Sequence, residues 1–132
     1  WIKKVRNDVP DAPVLVTAGG LLHYFEENKV ISLLRMIGQS GNMEVVFDTV
    51  NKKGMAMMQK KYMKQVGHAD AQMFFYVDAA KELAAKIRGN VKVIAEEPYY
   101  RYIPKNGLKL STKVSMAVSD QFKMVKMIHL KL

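Results

Sequence analysis

The 132-residue chain has no cysteine, which excludes disulfide scaffolds, thiolate zinc sites, iron–sulfur centres and cysteine nucleophiles together. No apolar run approaches the ~20 residues of a membrane helix, and no signal peptide opens the chain. The expectation is a soluble, cytoplasmic protein without a membrane partner. Histidine is scarce: His23, His68 and His129 show neither HxxxH nor HExxH spacing, so no metal site is expected. Neither GxGxxG, a P-loop nor GxSxG occurs, which removes the usual phosphate fingerprints and the elbow-type serine hydrolases.

What is present points to a folded domain. Hydrophobic residues make up 49% of the chain and charged ones 25%, enough for one domain with a core. The 21 Lys and Arg against 12 Asp and Glu leave +9, a balance that permits contact with anions. The sequence opens on Trp1 rather than methionine and closes on an apolar run. It therefore reads as a single domain or as a piece of a longer protein.

Runs and breakers predict an alternating order. Trp1–Arg6 reads as a helix tail. Val14–Ala18, between Pro13 and Gly19-Gly20, is apolar without alternation, as expected of a parallel strand covered on both faces. Glu26–Gln39 repeats Val30, Leu33, Leu34 and Ile37 at helical spacing. Met43–Val50 predicts a second strand. Residues 51–66 predict a helix weakened by Gly54, followed by a loop over 67–72. Asp78 is the expected cap of a helix over Ala79–Arg88. Val91–Ala95 is a third strand, and residues 99–110 read as irregular. Ser111 or Thr112 would cap a helix to about Phe122. The last strand, Met124–Leu132, mixes charge with apolar residues, a pattern suited to a sheet edge and to an antiparallel direction. The whole is α/β.

In open α/β sheets ligands bind outside the carboxyl ends of the strands. Two stretches fall there: Thr17–Gly20 with His23 and Tyr24 behind it, and Asp48 closing the second strand. Paired glycines let backbone approach a ligand, or they only turn the chain. Asp48 either reaches the crevice or caps the following helix. Met55, Met58 and Tyr62 share a helix face, so they either fill core or line a pocket for a bulky apolar acceptor. Lys52, Lys53, Lys60, Lys61 and Lys64 raise single-stranded nucleic-acid binding as an alternative. Without an RNP-like or KH-like signature, a solvated face is the favoured reading of that cluster.

The stretch Pro13-Val-Leu-Val-Thr-Ala-Gly-Gly-Leu-Leu-His-Tyr-Phe-Glu-Glu27 resembles a segment of the leucine carboxyl methyltransferase superfamily. The branch it resembles is that of the bacterial O-methyltransferases related to tetracenomycin polyketide synthesis. Glu44–Val50 is similar to that family's next strand, and Ser119–Met124 with Met127–Leu132 to its C-terminus. The resemblance implies the C-terminal half of a class I, Rossmann-like methyltransferase sheet with an antiparallel last strand. It also implies S-adenosylmethionine as cofactor and a small-molecule hydroxyl or carboxyl acceptor of polyketide type. The partner would be the missing N-terminal half of the same protein, with its glycine-rich cofactor loop.

On that mapping Ala18, Gly19 and Gly20 touch the cofactor, Tyr24 matches a family tyrosine of structural or pocket role, and Asp48 matches an aspartate at the crevice edge. Met55, Met58 and Tyr62, if they form a lid rather than core, would line the acceptor pocket with Tyr24. Gly19 stands where the family often has a glutamate, which leaves backbone contact there and keeps open a domain that retained the fold without catalysis. Methyl transfer from a sulfonium is an in-line displacement governed by proximity. A base is needed only for a hydroxyl acceptor, and His23 and Asp48 are the candidates.

Overall fold

The computed structural model describes residues 1–65 and 72–132, the side chains of 61–65 excepted. A short helix α1 (Ile2–Asp8) leads into β1 (Val14–Ala18), a 3-10 turn over Leu22–Tyr24, α2 (Glu27–Gly38) and β2 (Met43–Val50). Then follow α3 (Lys52–Gln65), α4 (Ala80–Ile87), β3 (Lys92–Pro98), α5 (Leu110–Gln121) and β4 (Val125–Lys131). Among the described residues these strands form one mixed sheet in the order β1-β2-β4-β3. β1 and β2 are parallel, with Val14 opposite Met43 and Ala18 opposite Phe47. β4 runs antiparallel to both β2 and β3.

Strand alternation explains the core. Val45 and Phe47 of β2 point to the same face as Ile128 and Leu130 of β4, and all four are buried. Val30, Leu34 and Ile37 of α2, with Ala80, Leu83 and Ile87 of α4, cover that face. The last turns of α2 and α4 are tied together, because the Arg35 guanidinium donates to the carbonyls of Ile87 (2.7 Å) and Lys86 (2.6 Å). These are C-terminal carbonyls that the helix itself leaves unpaired. Arg6 likewise donates to the carbonyls of Ser40, Ala12, Gly41 and Asn42, fixing α1 against the turn before β2.

Several expectations are corrected. β4 is antiparallel as expected, but it lies inside the sheet rather than at an edge. Its charges are paired: Lys126, 1% exposed, places Nζ 2.6 Å from Glu96 Oε1 and 2.7 Å from the Asp78 carbonyl. His129 Nε2 lies 2.7 Å from Glu44 Oε2 on β2. β1, expected to be covered on both faces, is the edge strand, and its Leu15 is 56% exposed. Asp78 does not cap α4, whose N-cap is Ala79. Its Oδ1 accepts from the Lys52 amide (2.9 Å) and so caps α3, while Glu96 Oε2 accepts from the Ala80 amide (3.1 Å). α5 starts two to three residues earlier than a Ser111 or Thr112 cap implies, with Lys109 at its N-cap. β3 runs on through Glu96, Glu97 and Pro98. Of the expected loop over 67–72, residues 67–71 lie outside the described residues, and His68 with them, as does residue 66 of the expected helix.

Candidate functional site

The two stretches singled out by the strand-end rule meet. Because β1 and β2 are adjacent and parallel, their carboxyl ends open on the same side of the sheet, with Ala18 beside Phe47. The chain turns at Gly19-Gly20, and Gly20 takes φ +63°, a left-handed conformation that costs glycine little. There the Gly20 amide donates to Asp48 Oδ1 at 2.6 Å. A side chain at Gly19 would meet nothing within 4 Å, so the backbone here is open to a ligand.

The one-turn 3-10 helix that follows buries Leu22 and His23. Burial lowers the His23 pKa below its ordinary value, and the nearby Asp48 charge opposes that shift without cancelling it. The imidazole is thereby held toward its neutral form at neutral pH. The Tyr24 ring lies 4.4 Å from it, centroid to centroid, and is itself exposed. The His23 carbonyl accepts from the Phe74 amide (2.8 Å), which brings the segment before α4 alongside this turn.

Phe74 also lines a cavity of about 360 Å³ with Tyr76, Glu27, Glu82 and Lys86. The Lys86 ammonium sits 2.6 Å from Glu27, and this hydrogen bond is the main cause of its raised pKa. The cavity was not legible in the sequence. The signal available was the run Met73-Phe-Phe-Tyr76, in which alternate side chains go inward: Met73 and Phe75 are buried while Phe74 and Tyr76 are exposed.

The structure thus brings Ala18, Gly19, Gly20, His23, Tyr24 and Asp48 together. Met55 is placed elsewhere, in a small core with Val50 and Met73, and Met58 packs half-buried against it. Tyr62 lies on α3, but its side chain is outside the described residues. Lys52, Lys53 and Lys60 are exposed. Among the described residues no three His, Asp or Glu side chains converge as a metal-binding set, and no helix is long and apolar enough to cross a membrane.

No protein-family model matches the chain, and no curated protein matches it. In fold it is similar to the crystal structure of a DUF574 family protein from Streptomyces avermitilis, with a TM-score of 0.53 at 10% identity. The likeness covers 98% of this chain and 52% of that one, so the chain spans about half the length of its structural neighbour. At this identity the likeness establishes a shared α/β fold.

Proposed function

We propose that the chain is the C-terminal half of an S-adenosylmethionine-dependent O-methyltransferase acting on a small-molecule hydroxyl or carboxyl acceptor of polyketide type. The cofactor's glycine-rich loop would be carried by a preceding segment of the same protein. The observation behind this reading is the hydrogen bond from the Gly20 amide to the Asp48 carboxylate. It joins the turns after two neighbouring parallel strands, where α/β sheets take their ligands. The antiparallel β4 adds support, since the resemblance implies such a last strand.

The residues present fit the cofactor. Ala18 and Gly19 would hold its amino-acid end through backbone groups, because no side chain crowds that turn. The half-buried Asp48 offers a negative group to a ligand bearing a sulfonium and an ammonium. When bound, S-adenosylmethionine supplies an electrophilic methyl group. His23, kept toward neutrality by burial, takes the proton of a hydroxyl acceptor. An ionised carboxyl acceptor needs no base. Tyr24 would present its exposed ring to the acceptor; Met55 and Met58, packed in the separate core with Val50 and Met73, take no part.

The test is titration calorimetry with S-adenosylmethionine on two forms, the 132-residue chain and the longer protein with the preceding segment. The longer form should bind and the short one bind at least tenfold more weakly, with Asp48→Ala weakening the longer form. A longer protein that does not bind overturns the reading, as does tight binding by the short chain alone.

A further inference from the structure

Helix α5 buries Met116 and Ser119 and turns its larger apolar residues outward. Leu110, Val114, Val118 and Phe122 are 77%, 53%, 43% and 57% exposed. At four-residue spacing they form one ridge along the helix, on the side away from Met116. The ridge runs about 18 Å at the helical rise. The rows beside it carry Ser111 and Ser115 on one side and Lys113, Ala117 and Gln121 on the other, so the relief is shallowest along the serines and at Ala117. The ridge itself carries no charge, and Lys113 stands beside it.

The surroundings are basic. Residues 99–132 contain seven Lys and Arg against a single acid, Asp120; Arg101, Lys126 and Lys131 are paired with Glu97, Glu96 and Glu44, which leaves Lys105, Lys109, Lys113 and Lys123. Asp120 is already engaged, accepting from the Tyr100 amide at 3.1 Å. Lys109 and Lys123 bracket the two ends of the helix. A second copy of the chain on this face would set like charge against like. An i±4 ridge between grooves matches the relief of another helix, which packs by fitting its own ridge alongside.

We propose that this face docks an amphipathic helix of a partner protein whose apolar stripe is edged by Asp and Glu. The proposal is independent of the methyltransferase reading, because α5 contacts β3 and β4, at the end of the sheet away from β1.

The probe is a fluorescein-labelled 18-residue helical peptide with leucines along one i, i+4 row and glutamates on both flanks. Its twin has lysines in place of the glutamates. Anisotropy titrations should show the glutamate peptide binding at least tenfold more tightly than the twin, with affinity falling as salt rises. The double variant Val114→Ser, Val118→Ser should lose at least tenfold, with an unchanged melting curve because both positions are exposed. Equal binding of the two peptides, no binding of the glutamate peptide, or full binding by the double variant overturns the proposal. So does either competing occupant when the double variant abolishes it: pelleting with phosphatidylserine vesicles, or a dimer in sedimentation velocity.

Discussion

Replacing Gly54 by alanine sets two physical effects against each other, and the structure decides the sign. Gly54 is the third residue of α3, where alanine is favoured over glycine by up to about 1 kcal/mol on helix propensity. A Cβ at that position would stand 2.5 Å from the Met124 carbonyl oxygen and 3.2 Å from its carbon. Carbon–oxygen contacts relax at ~3.3 Å, so something must move by ~0.8 Å. The obstacle is backbone that other bonds hold in place. Met124 O accepts from the Asn51 amide at 3.0 Å. The Asn51 side chain accepts from the Gly54 amide (2.7 Å) and donates to the Phe122 carbonyl (3.0 Å). Overpacking costs ~1–3 kcal/mol and a lost hydrogen bond ~1, against the propensity gain. The expected result is a net loss of about 1–3 kcal/mol. For a chain of this length that lowers the melting midpoint by roughly 4–10 °C. Circular dichroism melts of Gly54→Ala and Gly38→Ala make the comparison. The nearest atom to a Cβ at Gly38 is the Leu132 Cβ at 3.2 Å, which needs a shift of only a few tenths of an ångström, so its loss should be smaller. A Gly54→Ala protein that melts at or above the parent refutes the reasoning.

The buried Lys126–Glu96 pair should respond asymmetrically to substitution. Glu96→Ala strands an ammonium in the core and should cost roughly 3–5 kcal/mol, whereas Lys126→Met removes the charge and should cost clearly less; equal losses in urea unfolding would contradict this. Burial pushes the Glu96 pKa up, but the Lys126 bond and the Ala80 amide outweigh it and hold the carboxyl below its ordinary value. Its contribution to stability is therefore complete above about pH 4.3 and is lost as pH falls through the lower folded value, a loss that Glu96→Gln should flatten in acid unfolding curves. Asp48→Asn should lower the His23 pKa further, since the carboxylate opposes the effect of burial; a rise in the NMR titration would be contrary. With the folded value lowered, the neutral imidazole contributes stability above its ordinary pKa, lost as pH falls through the folded value.

Much of the element order was legible because runs such as Val14–Ala18 and Met43–Val50 are bounded by glycine, proline and asparagine. The strand-end rule was enough to name Gly19, Gly20, His23 and Asp48 as candidates in two stretches, though not to show that the Gly20 amide reaches the Asp48 carboxylate. What stayed hidden was long-range pairing. Glu96, Glu97 and Pro98 argue against a strand by local preference, and they are accommodated because Lys126 and the Ala80 amide answer Glu96 from other elements. The mixed pattern of β4 was read as an edge, yet its parity held the answer. Lys126 shares the face of Ile128 and Leu130, so a strand that buries those two must also bury the lysine and find it a partner. Asp78 was legible as a helix cap, but not that it serves α3 across the loop rather than α4 next to it.

The position of β4 also bears on how the chain is assembled during translation. β2 and β3 share no ladder bonds, and the strand that bridges them is synthesised after both. A nascent polypeptide can zip β1 onto β2 early, but β3 must wait beside an empty lane until residues 125–131 clear the ribosome. Completion is then a single late event that stitches sequence-distant segments and inserts an ammonium group into the interior at the same moment. Until then two raw strand borders stand open, and nascent chains in this state are the ones most exposed to aggregation and to chaperone capture.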